Sequence, residues 1–174
     1  MQISQMFKRK PCVFSIECFP PKQTANFDKM KDTLRTMCTL NPDFISVTYG
    51  AGGGTSDYTV KIASTIKEEY GVTPLAHLTC VSSTREKVQQ VLNELKEHKI
   101  DNILALRGDI PQYRQTPQVY HYASELIREI REAGDFCIGA ACYPEGHVES
   151  ANKSVDMDYL KQKVEAGCDF VTIQ

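Results

Sequence analysis

Six groups of reactive or strongly polar residues recur along this chain: Glu17; Thr48 and Tyr49; His77; Arg107, Gly108 and Asp109; Tyr143 and His147; and Gln174. Between them they could supply a proton (Glu17), a fixed negative charge (Asp109), a cation (Arg107), an aromatic surface (Tyr143) and a neutral bidentate hydrogen-bonding group (Gln174). Glu17 follows Ile16 inside an apolar run. It is therefore expected to be partly desolvated, with its carboxyl shifted toward the range of a working general acid. The alternative is a carboxylate paired with Lys22 or another cation. Asp109 either places charge in a site or pairs with Arg107, and Gly108 between them would let a ligand approach the backbone. His77, between Ala76 and Leu78, reads by itself as a satisfied core histidine. Gly52, Gly53 and Gly54 precede a helix and could cradle a phosphate. They lack the order G-x-G-x-x-G and a Walker lysine, so they read instead as a flexible loop over the site. No His, Asp or Glu cluster has metal-ligand spacing, and no G-x-S-x-G element is present; no metal is expected.

Each group stands at the end of an apolar run, which is where parallel α/β folds keep their chemistry. Strands are expected over residues 13–19, 44–49, 74–80, 103–106, 136–143 and 170–174. Helices are expected between them, over residues 27–40, 56–70, from 84 onward, 119–133 and 155–166. The helix at 27–40 carries Phe27, Met30, Leu34, Met37 and Leu40 at helical spacing. Ser56 is a candidate N-cap and Gly71 the residue past the same helix. Ser83 or Thr84 caps the next helix, whose buried stripe is Val88, Val91, Leu92 and Leu95. Pro111 and Pro117 mark a longer loop. Gly134 and Gly167 end the last two helices.

The units begin near residues 13, 44, 73, 102, 137 and 170, and so repeat every 29 to 35 residues with no linker. Strict βα alternation implies a parallel sheet, doubly wound or closed as a barrel. Polar residues at all six strand ends favour the barrel, since a doubly wound sheet concentrates its contacts at one switch point. Eight such units would need roughly 240 residues, close to the ~250 of a (β/α)8 TIM barrel. The expectation is an α/β chain holding six strands of that barrel. Residues 1–12 form a polar lead, residues 13–174 the partial barrel, and the whole is a fragment that ends on its sixth strand.

A formal net charge of -2 argues against nucleic acid or an anionic membrane surface as partner. No apolar run approaches the ~20 residues of a membrane span. Lys8, Arg9 and Lys10 are not followed by an apolar stretch, so no signal peptide is visible. Seven cysteines without a C-x-x-C read as reduced residues of a cytoplasmic protein.

The strand-end motifs resemble the catalytic domain of the 5,10-methylenetetrahydrofolate reductase family. They are Ser15-Ile16-Glu17-Cys18-Phe19-Pro20-Pro21-Lys22, Ser46-Val47-Thr48-Tyr49-Gly50-Ala51, His77-Leu78-Thr79-Cys80, Ala105-Leu106-Arg107-Gly108-Asp109, Tyr143-Pro144-Glu145-Gly146-His147 and Thr172-Ile173-Gln174. They occur in family order, one per strand. Cys18 stands where the family commonly has an aromatic, a packing change.

The resemblance implies a flavoprotein of one-carbon metabolism and methionine biosynthesis. It would reduce 5,10-methylenetetrahydrofolate to 5-methyltetrahydrofolate, with electrons from NADH or NADPH passing through FAD. By the same resemblance Glu17 is the general acid, and Asp109 lies near flavin and pterin. Thr48, Tyr49, Ala51, His77, Arg107, Gly108, Asp109, Tyr122, Tyr143, His147, Asp156 and Lys163 match FAD-contact positions. Glu17, Asp109 and Gln174 match substrate positions, and the full-length protein is expected to be a homo-oligomer. One rival reading is a non-catalytic remnant that keeps only flavin or partner binding. Another is a lyase or aldolase barrel, which would want a Schiff-base lysine or metal ligands at a strand end, and neither is found.

Overall fold

The computed structural model describes residues 1–21, 27–49, 56–110 and 119–173, without the side chains of residues 27, 28, 56 and 57. Six strands form one sheet in sequence order: β1 (Ser15–Cys18), β2 (Phe44–Val47), β3 (Thr73–Thr79), β4 (Asn102–Leu106), β5 (Cys137–Cys142) and β6 (Phe170–Ile173). Every neighbouring pair is parallel. Helices alternate with them: α2 (Phe27–Cys38), α3 (Ser56–Tyr70), α4 (Arg85–Glu97), α5 (Ala123–Ala133) and α6 (Lys153–Glu165). The sheet is curled, because β1 and β6, at its two ends, line one cavity of about 230 Å³. It is six parallel strands of an open half-barrel.

The strands sort their residues by alternation. Ile45, Val47, Ala76, Leu78, Ile103, Ala105, Ile138 and Ala140 face outward and pack against Leu34, Ile62, Ile66, Val88, Leu92, Leu126 and Ile130 of the helices. Phe44, Leu75, Leu104 and Cys137 form a smaller cluster on the concave face. Gly139 belongs there for lack of room. A Cβ on it would stand 2.6 Å from the Phe170 ring and 3.0 Å from Leu104.

Residues 1–12, expected to be a polar lead, contain a further helix, α1 (Ile3–Arg9), that closes the floor of the concave face. Ile3 and Met6 are buried in the inner cluster, and the Phe7 ring meets Phe170 edge-on at 5.5 Å. Asn102, buried at the start of β4, holds the helix in place. Its Oδ1 accepts from the Ile3 N–H at 2.8 Å, and its amide donates to the Met1 and Pro74 carbonyls. The apolar spacing of Ile3, Met6 and Phe7 spans barely two turns and runs into three basic residues, too little for a periodic signal.

Boundaries shift for local reasons. α2 stops at Cys38, and Leu40 is exposed in the turn beyond, where Asn41 has φ 52°. α3 begins on Ser56, and the residue before it is outside the described residues. Thr84 caps α4, accepting from the Lys87 N–H. α5 starts at Ala123 rather than at residue 119, because the Glu125 carboxylate draws the His121 and Tyr122 N–H groups out of the helix. Asn152 caps α6, accepting from the Val155 N–H at 3.0 Å. No helix among the described residues is long and apolar enough to cross a membrane.

Candidate functional site

The C-terminal ends of the strands open on one rim, and the chemistry there divides in two. Over β4, β5 and α6 lies a cleft of about 220 Å³ lined by Arg107, Tyr122, Tyr143, His147, Asp156 and Lys163, together with Glu149, Ser150 and Tyr159. Arg107 is fixed from below, since the Cys80 and Val81 N–H groups both donate to its carbonyl. Gly108 follows with φ 85°, in the left-handed region. A Cβ there would meet Thr79 at 3.1 Å and Val81 at 3.2 Å, so glycine is required on both counts.

The Arg107 guanidinium forks onto Glu149, donating at 2.6 and 3.0 Å. That hydrogen bond raises the Arg107 pKa and lowers that of Glu149. Of the two readings of Asp109, the fork takes neither oxygen of it. Asp109 is exposed beyond β4 and acts on Arg107 and Tyr143 through space. Burial lowers the pKa of Lys163, whose ammonium donates to the Ala141 carbonyl at 2.8 Å. Burial likewise raises that of Tyr143, with Asp109 adding to it, and the Tyr143 ring meets His147 edge-on at 4.7 Å. Tyr122 and Tyr159 stack at 4.9 Å. Ser150 Oγ is buried with no partner among the described residues.

Two cations (Arg107, Lys163), two carboxylates (Glu149, Asp156), aromatic faces and a buried hydroxyl share one cleft, a lining suited to a polar, ring-bearing ligand. Six of the positions matched to FAD contacts converge there. Thr48 and Tyr49 do not. They lie beyond β2, where the Thr48 N–H donates to the Cys18 carbonyl and the Thr48 carbonyl accepts from Thr59. Ala51, Gln174, Lys22 and the glycine run 52–54 are outside the described residues.

The second part is on the concave face of β1–β3. Glu17, Ser46 and His77 point into the half-barrel, as the register Glu17↔Ser46 and Ser46↔Leu75 requires. Ser46 Oγ lies 2.6 Å from His77 Nε2 and 3.4 Å from Glu17 Oε2. His77 Nε2 is 3.6 Å from the same carboxylate oxygen. His77 is 5% exposed, and burial drives its pKa down to about 4. The imidazole is thus neutral near pH 7, and its approach to Glu17 is not an ion pair.

The expected desolvation of Glu17 does not hold. Its side chain is 43% exposed, because β1 is an edge strand and the carboxylate looks into the open cavity rather than toward the helices. Sequence reasoning also passed over Ser46, Glu149, Ser150 and Tyr159. Ser46 had a usable signal, as the hydroxyl that shares the inward face with Phe44 by alternation. Glu149 had none, standing 42 residues from its partner across irregular loops. All seven cysteines are free, and burial lifts the thiols of Cys18 and Cys80 to about 12.

A parallel βα half-barrel with a polar rim defines a barrel-type α/β protein, and its fold is shared widely. A phosphonopyruvate hydrolase solved with oxalate and Mg++ superposes with a TM-score of 0.68, over 100% of this chain and 63% of that one, at 13% identity. That likeness speaks to fold alone. The chain belongs to the methylenetetrahydrofolate reductase family, whose model matches residues 2–174. A 5,10-methylenetetrahydrofolate reductase of Pectobacterium carotovorum subsp. carotovorum is 39% identical over 89% of this chain and 51% of its own length. "Methylenetetrahydrofolate reductase (NADH) 1" of Zea mays is 36% identical over 92% of this chain and 30% of its own length. The chain therefore spans about half of the bacterial relative and less than a third of the plant one.

Proposed function

We propose that the protein carrying this chain is a flavoprotein that reduces 5,10-methylenetetrahydrofolate to 5-methyltetrahydrofolate, taking electrons from NADH or NADPH, in a barrel of eight strands when complete. The observation that carries the reading is the convergence of Arg107, Tyr122, Tyr143, His147, Asp156 and Lys163 on one cleft, in a chain of this family. Arg107 and Lys163 would offset the diphosphate charge of FAD, and Ser150 Oγ would gain the partner it lacks among the described residues. FAD, when bound, supplies the hydride-transfer chemistry.

The chain's own residues do the rest. Glu17 donates its proton to one nitrogen of the methylene bridge. The bond from that nitrogen to the bridging carbon breaks with its electrons staying on nitrogen, leaving an iminium that accepts hydride at carbon. Asp109 sets a negative charge at the rim, which disfavours anionic forms of a bound ring. Gln174 offers both a donor and an acceptor to folate or nicotinamide. The NADH in the name of the maize relative favours NADH as donor.

The test is anaerobic spectroscopy on the full-length protein. A flavin spectrum should bleach with NADH or NADPH and return on adding methylenetetrahydrofolate. A colourless protein that gains no flavin when reconstituted would end the proposal.

A further inference from the structure

Ser46 and His77 stand apart from the cleft over β4, β5 and α6 and touch the one carboxylate to which the proposed chemistry assigns a proton. Ser46 Oγ is 2.6 Å from His77 Nε2 and 3.4 Å from Glu17 Oε2. We infer that Ser46 and His77 are positioning residues for Glu17. They form a hydrogen-bond chain that reverses direction and so holds the carboxyl in one place whether or not it carries its proton. The inference rests on the general-acid role proposed for Glu17.

A hydroxyl has one hydrogen to give, and a neutral imidazole has one donor and one acceptor nitrogen. With Glu17 ionised, Ser46 donates to Oε2 and must then accept from His77 Nε2–H. With Glu17 protonated, the carboxyl donates to Ser46 Oγ and Ser46 donates to a bare Nε2, so the imidazole hydrogen sits on Nδ1. Both arrangements keep the Glu17–Ser46 and Ser46–His77 hydrogen bonds. A lysine or arginine in place of His77 could only donate, and would trap Glu17 as the anion. The passage between the two states balances: a proton from solvent water enters at Nδ1, the Nε2 proton moves to Ser46 Oγ, and the Ser46 proton moves to Glu17. The sum is one proton gained by the triad. Burial at 5% exposure keeps the imidazole neutral, which the reversal needs.

The experiment uses the full-length protein with nitrogen-15-labelled histidine. At about pH 8, where carboxylates carry their charge, the His77 signals should be those of the Nε2–H tautomer. The Nδ1–H tautomer at that pH would overturn the inference. In parallel, stopped-flow traces should show Ser46→Ala slowing methylenetetrahydrofolate reduction by about tenfold, the scale of one hydrogen bond. Flavin reduction should stay within about twofold, and Ser46→Thr, which keeps the hydroxyl, should recover most of the loss. If Thr, the larger residue, is worse than Ala, Ser46 merely packs and the inference fails. A protein that reduces no methylenetetrahydrofolate at all would instead remove the proposed function, and the tautomer would still be read.

Discussion

The two halves of the rim are built from different materials. Over β1–β3, Glu17, Ser46 and His77 form a small, largely uncharged cluster inside the half-barrel, held by contacts between adjacent strands. Over β4–β6 the groups are charged or aromatic and come mostly from loops and helices beyond the strands. Arg107 meets Glu149, Lys163 reaches back to the Ala141 carbonyl, and Tyr122 stacks on Tyr159. Strand-borne groups are placed by the sheet register and suit a step that needs fixed geometry. Loop-borne cations suit the capture of a large anion, where reach matters more than angle. On the function proposed above, the difference would separate chemistry from binding, and it can be tested one half at a time.

The largest effect is expected at the strand-borne half. Glu17→Gln should lower methylenetetrahydrofolate reduction by the ~10²–10⁴ typical of a lost general acid. Flavin reduction by NADH should be nearly intact, as stopped-flow traces of the two half-reactions would reveal.

His77 should give the next largest effect, in stability rather than rate. Its pKa in the folded chain is about 4, below the ~6.5 of an unfolded histidine. Between those values the unfolded chain binds a proton that the folded one does not. Stability is therefore fully present above about pH 6.5 and falls as pH drops toward 4, by roughly 3 kcal/mol at most. Urea midpoints of wild type and His77→Gln across that window would check the sign; the variant should show the shallower slope.

On the loop-borne half, Arg107→Ala removes a bidentate charged donor. Flavin dissociation constants should rise by about 10–100-fold, the scale of ~1.5–3 kcal/mol for a charged hydrogen bond. Arg107→Lys should recover only part of it, since lysine cannot fork. The smallest effect belongs to Tyr122→Phe, which removes one partner of an exposed hydroxyl contact of 3.3 Å and keeps the stacked ring. Fluorescence titration should show flavin affinity changed by about twofold or less.

The same division governs how much could be read from sequence. The six strands, their parallel order and the stripe Val88, Val91, Leu92 and Leu95 follow from apolar runs and periodicity, which act over a few residues. The alternation that puts Glu17 and Ser46 on one face is equally local. Helix α1 was hidden because its apolar residues are too few to show a period. The exposure of Glu17 was misjudged because an apolar run does not say which side of a strand is open. The Arg107–Glu149 pair and the Tyr122–Tyr159 stack join residues 42 and 37 apart through loops, and loop paths leave no periodic trace. Glu17, Arg107, Tyr143 and His147 are legible as polar strand ends, whereas Tyr122, Asp156 and Lys163 come only from the family resemblance.

The most direct test of the division is an anaerobic stopped-flow comparison of Glu17→Gln and Arg107→Ala in the full-length protein, each saturated with flavin. Glu17→Gln should take electrons from NADH at near the wild-type rate and fail to pass them to methylenetetrahydrofolate. Arg107→Ala should need far more flavin to saturate, yet pass electrons on within about tenfold of wild type once loaded. If instead both variants slow both half-reactions alike, the rim is a single coupled site and the separation of chemistry from binding is wrong.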